Sequence, residues 1–397
     1  MNRQIRLAIP TAALAGYLAL ASLAGLLAPV APVSAGALPG GTQITVAPIV
    51  SAVMPGVVNI ATRRTEKVAT APVLQQDPST GEMYTVPGGA ARRETRSAGS
   101  GVIVDAEHGY VLTNAHVVKG ANLIEVTTYD KRRFKGELVG SDPETDVAVL
   151  RIKADRLTAI PLGDSDRAQV GDFVLAVGNP FGLGQTVTSG IISALGRTGL
   201  GIDGYEDFIQ TDASINPGNS GGALVALDGH LIGISTAILS RTGGNVGIGF
   251  AVPINMARSV MEQIIAHGQV KRGRIGVALQ DVTPDRAGAL GIEGEGGAIV
   301  SAVEPGSPAA QAGLSKGDVV TTLNGVAVRS ASHLRNMVGL QRVGTTIEMA
   351  FKRKDAPAAT ASVHIEPAPS GPAVSRRHQP HPTKPRTGEL RWRGARG

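Results

Sequence analysis

One serine lies in a glycine-rich loop that is suited to nucleophilic catalysis. The segment Gly218–Gly222 reads Gly-Asn-Ser-Gly-Gly, with Ser220 at its centre. Glycines on both sides permit turns and close backbone approaches that other residues cannot make. The N–H groups of Gly218 and Ser220, with Asn219 between them, are predicted to form an oxyanion hole, usually the largest electrostatic contribution to acyl transfer. Taken alone, the pentapeptide is also compatible with an ordinary glycine-rich turn.

A serine hydroxyl needs a general base, and one histidine and one aspartate lie in suitable contexts. His116 ends a strand-like run in the segment Leu112–Val118. Asp146 directly precedes the apolar run Val147–Leu150, which places its carboxylate at the mouth of a buried strand, where it can accept the imidazole N–H. Asp142 is the alternative carboxylate, although its Asp-Pro pair is more simply a turn. The chain order His, Asp, Ser is one of those known for catalytic triads.

The elements that must position these residues are short and strand-like. From about Ile44 to Arg258, runs of Val, Ile, Thr and Ala alternate with Gly, Asn, Asp and Pro, which indicates an all-β barrel or sandwich. The segment Glu66–Arg96 lacks periodicity and is predicted to be a long surface loop. Apolar residues at helical spacing predict one helix over Pro253–His267, ended by Gly268.

A second unit follows over residues 273–366, and no internal repeat links it to the first. Its strand candidates are Arg274–Val277, Gly297–Val300, Val319–Leu323 and Ile347–Phe351, and its helix candidates are Pro308–Ala312 and Ser332–Val338.

Composition excludes several classes of protein. The chain of 397 residues has no cysteine, which excludes disulfides, a cysteine nucleophile and thiolate metal sites. Aromatic residues make up 3%, too few for a surface that stacks nucleic-acid bases. The net charge of +6 lies entirely in the last 27 residues, so a basic folded face for nucleic acid is not expected.

The two ends indicate export and a solvated tail. Arg3 and Arg6 precede the apolar stretch Leu7–Ala28, and the small residues of Val33–Ala35 suit cleavage after Ala35, so residues 1–35 are predicted to be a signal peptide. An uncleaved membrane anchor is the alternative, because about 20 apolar residues suffice to span a bilayer. Residues 370–397 mix Pro, Arg, His and Gly and are predicted to be a disordered basic tail.

Taken together, six motifs resemble the HtrA (Deg) family of trypsin-like serine proteases with a C-terminal PDZ domain. The resemblance runs from about Ile44 to Glu366 and holds the motifs in the family's order. They are Thr113–Val117 (TNAHV), Asp142–Asp146 (DPETD), Val177–Gly182 (VGNPFG), Gln210–Asn216 (QTDASIN), Gly218–Leu224 (GNSGGAL) and Gly247–Pro253 (GIGFAVP).

This resemblance implies a mainly β protein, in which two six-stranded β-barrels hold the triad in the cleft between them. His116 is then the general base, Asp146 its orienting group and Ser220 the nucleophile. Ser214 occupies the position where an aspartate selects Lys or Arg, and the resemblance implies a substrate pocket that favours small aliphatic residues, lined by Ser214, Ile215, Ile238 and Leu239. Pro217 departs from family members that have a basic residue there, with an effect on basal activity that the sequence leaves open. No metal or other cofactor is expected.

The second unit resembles a PDZ domain. The carrying segments are Gly306–Leu314 and the pair Gly317-Asp318. Its carboxylate-binding loop is then formed by Arg274, Ile275, Gly276 and Val277, whose N–H groups hold a peptide C-terminus while the peptide adds a strand. We expect a protease domain over residues 44–268 and one PDZ domain over residues 269–366.

The expected function is that of an exported, ATP-independent serine endopeptidase that degrades unfolded or mislocalised envelope proteins. Expected partners are such substrates, C-terminal peptides at the PDZ groove and two further copies in a homotrimer, with periplasmic localisation, a membrane tether if the N-terminal segment stays, and no nucleic acid. Two alternatives remain open: a regulatory protease that cleaves one membrane-bound regulator, and a non-catalytic PDZ adaptor or holdase.

Overall fold

The computed structural model describes residues 45–69, 73–76, 78–86, 90–180, 184–200, 204–238, 245–282, 296–354 and 356–369. The predicted signal peptide, residues 1–35, and the predicted tail, residues 370–397, lie outside these ranges. The proposed domain bounds stay predictions. Within the described ranges, no helix is long and apolar enough to cross a membrane.

The first half of the chain contains nine strands and two short helices within the described residues. They are α1 (Ala47–Val53), β1 (Val57–Ala69), β2 (Val73–Gln76), β3 (Met83–Val86), β4 (Ala90–Asp105), β5 (Tyr110–Thr113), α2 (Ala115–Val118), β6 (Leu123–Thr127), β7 (Arg133–Lys135), β8 (Glu137–Asp142) and β9 (Val147–Arg151).

Seven of these strands form one sheet, in the order β7-β6-β1-β4-β5-β9-β8. The strands at its two ends, β7 and β8, are separated in sequence by Gly136 alone, so the sheet curls round until its ends meet at that residue. A side chain at Gly136 would press on Ile124, which explains why the bend needs a glycine. The expected barrel is therefore present with seven strands rather than six, because its closing strand bends and counts as two.

The predicted surface loop over Glu66–Arg96 is wrong. Strands β1 and β4 pair without interruption from Val57 opposite Val102 to Ala69 opposite Ala90, and β2 and β3 form a hairpin between them. Beyond the barrel, most described side chains of this ladder are exposed, so polar residues occupy both of its faces. Without one buried face, the alternation by which strands are recognised is lost.

The middle of the chain forms a second barrel. It is closed and six-stranded, in the order β10-β11-β12-β15-β14-β13. A helix, α3, follows directly and ends at Gly268, whose φ of 73° is the left-handed conformation typical of a helix end. The apolar face of α3 packs into a core shared with strands of both barrels. The elements are β10 (Phe173–Gly178), β11 (Thr186–Arg197), β12 (Phe208–Thr211), β13 (Ala223–Ala226), β14 (Leu231–Ile238), β15 (Gly249–Pro253) and α3 (Ile254–His267).

The last part of the described chain has its own apolar core. Its main sheet has the order β17-β18-β19-β21-β22, with β20 paired to β19, and β16 pairs separately with β23. Three of the four predicted strand segments and both predicted helices are found here, with ends shifted by a few residues. The fourth segment, Arg274–Val277, is not one strand, because the chain bends at Gly276 between two strands. The elements are β16 (Gly273–Arg274), β17 (Val277–Asp281), β18 (Ala298–Val303), α4 (Pro308–Gln311), β19 (Val319–Leu323), β20 (Val326–Ala327), α5 (Ala331–Leu340), β21 (Thr346–Lys352), β22 (Ala359–His364) and β23 (Glu366–Pro367).

Candidate active site

His116 lies on the one-turn helix α2, which follows β5 after a single residue. Two donors at the start of this helix, the N–H of Ala115 and the side-chain amide of Asn114, bind the carbonyl oxygen of Asp146 at 3.1 and 3.0 Å. These bonds tie the start of α2 to the start of β9. The histidine and the aspartate, 30 residues apart in sequence, are thereby placed side by side.

The carboxylate of Asp146 holds His116 at two points. Its Oδ1 accepts the backbone N–H of His116 at 2.9 Å, and its Oδ2 lies 2.7 Å from the ring Nδ1. Because a carboxylate only accepts, Nδ1 carries the proton, and Nε2 is the nitrogen that can act as a base; this tautomer is assigned from the contact. Asp142 instead accepts from Thr145 at 2.6 Å and pairs with Arg272. Of the two carboxylates, Asp146 reaches the imidazole.

Asp146 has a backbone φ of 54°, in the left-handed region that non-glycine residues seldom adopt. Aspartate tolerates this region better than most residues. The bonds from Asn114 and Ala115 to its carbonyl oxygen hold the conformation in place. The turn therefore aims a side chain, 5% exposed, at an imidazole that is half exposed to the cleft.

Thr236, a residue that the sequence analysis did not select, joins the aspartate to the serine. Its hydroxyl donates to Oδ2 of Asp146 at 2.5 Å, and its backbone carbonyl accepts the hydroxyl of Ser220 at 3.1 Å. Transfer of the Ser220 proton to His116 therefore requires the hydroxyl to turn away from Thr236. The available signal was a pair of hydroxyl residues, Ser235 and Thr236, within the otherwise apolar strand β14.

The nucleophile loop directs its three predicted N–H donors differently. The N–H of Asn219 donates to the carbonyl of Asn216 at 2.9 Å and closes a turn. Among the described residues, no acceptor binds the N–H of Gly218 or of Ser220, so these two form the pair available to an oxyanion. Gly218 has a φ of 97°, and a Cβ at Gly221 would collide with the carbonyl oxygen of Ser100. The glycines are thus required by geometry.

The predicted substrate pocket is partly within the described residues. Ile215 is buried, and a side chain at Gly249 would press on it. Gly249 pairs with Ile238, the last residue of β14, and the carbonyl of Ser214 accepts the hydroxyl of Thr188 at 2.9 Å. These contacts therefore fix the backbone around the pocket. Leu239 lies outside the described residues.

The predicted carboxylate-binding loop lines a cavity of about 190 Å³. Gly276 has a φ of 77°, and a Cβ there would press on Ser307. Arg274 pairs with Glu304 and Glu366, both at 2.9 Å, so its charge is already balanced by carboxylates. Besides the four predicted loop residues, the cavity lining includes Arg335 of α5 and Tyr205 of the segment before β12, which the sequence did not place at this site.

Tyr205 belongs to the seam between the second barrel and the C-terminal unit. Its ring lies under the guanidinium groups of Arg272 and Arg335, 4.2 and 5.3 Å from the ring centre. Nearby, Arg329 pairs with Asp207 at 3.0 Å. Burial outweighs this ion pair and raises the pKa of Asp207 to about 6, whereas burial, with the charge of Arg329, lowers the pKa of His333 to about 3.

Two β-barrels, a histidine and aspartate in contact, and a serine flanked by free N–H groups are the arrangement of a trypsin-like serine protease. Sequence comparison agrees. The family model for a trypsin-like peptidase domain matches residues 99–234, and the model for a PDZ domain matches residues 273–365.

The curated relatives include bacterial periplasmic proteases. The periplasmic serine endoprotease DegP of Salmonella typhimurium is 45% identical over 363 residues, covering 86% of this chain and 76% of that protein. The periplasmic pH-dependent serine endoprotease DegQ of Escherichia coli K12 is 46% identical, covering 86% of this chain and 73% of that protein. The match to DegP of Escherichia coli K12 is 51% identical and spans 56% of that protein.

Among solved structures, the HtrA-type protease AlgW with a decapeptide is 45% identical and superposes with a TM-score of 0.57. That match covers 83% of this chain and all of the AlgW chain. The chain belongs to the HtrA family of serine endoproteases, with one trypsin-like protease domain and one PDZ domain.

Proposed function

We propose that this chain is an exported, ATP-independent serine endopeptidase that degrades unfolded or mislocalised proteins of the cell envelope. The observation that carries the proposal is the pair His116 and Asp146, 2.7 Å apart, linked through Thr236 to Ser220. The periplasmic names of the relatives support the proposed compartment. The predicted signal peptide supplies the route of export.

In the proposed reaction, the hydroxyl oxygen of Ser220 attacks the scissile carbonyl while Nε2 of His116 takes the hydroxyl proton. Asp146 stabilises the resulting imidazolium, and the N–H groups of Gly218 and Ser220 stabilise the negative oxygen of the tetrahedral intermediate. His116 then gives its proton to the leaving amine, and an acyl-enzyme remains. Water attacks this ester with His116 again as base, and the proton returns to Ser220 as the product acid leaves.

The proposed specificity is for cleavage after small aliphatic residues such as Val or Ala. Ile215 is buried against the backbone at Gly249, and Ser214 offers no charge to pair with a Lys or Arg side chain. Burying a cation there without a partner is costly. A peptide library cleaved mainly after Lys or Arg contradicts this part of the proposal.

The PDZ domain is proposed to bind the C-termini of substrates or activators. The cavity beside Gly276, together with the position of β17 at the edge of its sheet in the described part of the chain, supports a peptide that adds a strand and places its carboxylate at the loop. AlgW, a related HtrA-type protease, was solved with a decapeptide and with a tripeptide, which supports short peptides as ligands here.

A homotrimer is the proposed assembly. Its support is a pair of exposed apolar side chains on the second barrel, Phe173 and Leu227, which are 64% and 44% exposed and line one surface groove. Large apolar side chains gathered on a surface are typical of an interface.

Labelling with a fluorophosphonate tests the catalytic proposal. The wild-type protein is expected to take up the label and to hydrolyse casein, whereas Ser220→Ala loses both and still binds unfolded protein. A wild-type protein that takes up no label, yet prevents aggregation of a denatured substrate, would instead be a non-catalytic holdase.

A regulatory protease with one target is the second candidate, and one observation favours it. Tyr205 of the protease domain lines the peptide cavity of the PDZ domain, so a peptide bound there contacts the protease domain directly. Casein hydrolysis without any added peptide favours quality control. Failure on casein, together with peptide-stimulated cleavage of one protein, favours regulation.

A further inference from the structure

Ser100, in strand β4 of the first barrel, makes four hydrogen bonds at the back of the nucleophile loop. The residue is completely buried. Its N–H donates to the carbonyl of Ser220 at 2.8 Å, and its hydroxyl donates to the carbonyl of Gly218 at 2.7 Å. The same hydroxyl accepts the N–H of Asn179 at 2.8 Å, and its own carbonyl accepts the hydroxyl of Thr113 at 2.7 Å.

The two carbonyls that Ser100 binds belong to the two residues whose N–H groups are available to an oxyanion. The peptide after Gly218 is held at both ends, because its carbonyl binds Ser100 and its N–H, that of Asn219, binds Asn216. The peptide after Ser220 is also held at both ends, because its carbonyl binds Ser100 and its N–H, that of Gly221, binds Ser235 at 2.7 Å.

Because these two peptides are fixed, the backbone that follows each N–H group of the oxyanion hole is fixed as well. Gly218 has a φ of 97°, and without a Cβ it has the widest choice of conformations in the loop. The sequence of the loop alone does not select one of these conformations. The hydrogen bond from the hydroxyl of Ser100, in the first barrel, selects it.

Ser100 also links this loop to the histidine side of the site. Thr113, which binds its carbonyl, lies three residues before His116, and a side chain at Gly221 would collide with that same carbonyl. Through one residue, the first barrel thus contacts both the strand that leads to the His116 helix and the loop that carries Ser220.

We propose that Ser100 is a positioning residue of the oxyanion hole, whose hydroxyl holds the Gly218 peptide so that the N–H groups of Gly218 and Ser220 converge on one point. This inference rests on the proposed peptidase function. It assigns part of the electrostatic stabilisation of the transition state to a side chain that touches neither substrate nor base.

The test is the variant Ser100→Ala, compared with wild type on a short peptide substrate. Loss of a whole oxyanion donor costs about 10²–10³ in kcat, so a displaced donor is expected to lower kcat by roughly 10- to 100-fold. KM stays within about twofold, because the bond to the oxyanion forms only in the transition state. Affinity for a peptide boronic acid, which forms a tetrahedral adduct with the nucleophile, falls with kcat, while affinity for the product peptide is unchanged.

Ser165→Ala is the matched control. Ser165 is a buried serine whose hydroxyl accepts the N–H of Asn255 at 3.1 Å, at the start of α3. The Ser165→Ala variant is expected to lose a comparable amount of folding stability and to keep the wild-type kcat. An equal loss of kcat in Ser165→Ala shows that stability alone is responsible and overturns the proposal.

A second variant keeps the proposal testable if Ser100→Ala folds poorly. Ser100→Cys retains the shape of the side chain with a much weaker donor, and it is expected to fold and to show an intermediate fall in kcat. The proposal is overturned if a folded Ser100 variant keeps kcat within about twofold, or if KM changes as much as kcat does. Inactive wild-type protein contradicts the proposed function instead, so the two failures are distinct.

Discussion

Two buried carboxylates, in different parts of the molecule, are satisfied to very different degrees. Asp146, in the cleft, accepts from the N–H of His116, from its ring Nδ1 and from the hydroxyl of Thr236, at 2.9, 2.7 and 2.5 Å. Asp207, at the seam with the PDZ domain, accepts from Arg329 through Oδ2 at 3.0 Å. Its Oδ1 is buried and has no partner among the described residues.

The difference separates a site of fixed geometry from a contact that can change. Three donors fix the position of Asp146, as is required of a carboxylate that orients a base. At Asp207 one ion pair does not compensate for burial, so burial raises its pKa to about 6. The seam therefore contains a carboxyl group whose raised pKa lies near neutral pH.

The largest expected effect is the loss of the cleft carboxylate. In Asp146→Asn the amide can no longer hold Nδ1 as the donor, so the ring adopts the wrong tautomer, and kcat is expected to fall about 10⁴-fold. Steady-state kinetics on a peptide substrate measures this. Asp207→Asn is the matched control, since it alters a carboxylate of similar burial, and kcat there is expected to stay within about threefold. Similar losses in both variants would contradict the comparison.

A smaller effect is expected at the third donor to Asp146. Thr236→Val removes the hydroxyl bond to Oδ2 but keeps the backbone carbonyl that accepts from Ser220. A hydrogen bond to a charged group contributes about 1.5–3 kcal/mol, and with two other donors in place we expect a fall in kcat of about 10-fold.

Thr128→Val is the control for Thr236→Val. Thr128 is also a buried threonine whose hydroxyl binds a carboxylate, that of Asp130, and it lies after β6 on the first barrel. Its kcat is expected to stay at the wild-type value. An unchanged kcat in Thr236→Val would show that His116 alone is enough to fix Asp146.

The sequence was sufficient to select the proposed triad residues, because each stands in a local pattern. Ser220 has glycines around it, His116 follows a strand-like run and Asp146 precedes one. Thr236 and Ser100 have no such pattern, since a threonine or serine in a strand has many ordinary uses. Their roles depend on contacts across 90 and 118 residues, to Asp146 and Gly218, which only the fold defines.

The fold too was predictable only where the sequence carries a local pattern. Strands whose residues are nearly all buried, such as β5 and β9, show as runs of apolar residues. The outer part of the β1–β4 ladder does not, since most of its described side chains are exposed. Asp207 and His333 could not be selected, because neither has a local motif. Their burial arises where α5 packs against the second barrel, a contact that nothing in either segment specifies alone.

The smallest expected effect is on stability, and it follows from the opposite pKa shifts at the seam. Burial raises the pKa of Asp207 to about 6 from 3.8, so the folded protein binds this proton more readily than the unfolded chain, and stability rises as pH falls from 6 towards 4. Burial, with Arg329, lowers the pKa of His333 to about 3 from 6.5, so stability falls as pH decreases below 6.5. Between pH 4 and 6 the two contributions oppose each other.

Single substitutions are expected to separate these contributions, each about 1.4 kcal/mol per pH unit at most. Relative to wild type, His333→Gln becomes more stable on acidification from pH 6 to 4, because the Asp207 contribution is left alone. Asp207→Asn becomes less stable over the same range, for the converse reason. Free energies of unfolding from urea titrations at several pH values measure both. Because all other groups titrate alike in the three proteins, parallel curves would mean that these side chains do not titrate as a buried pair, and the seam would then be as fixed as the cleft.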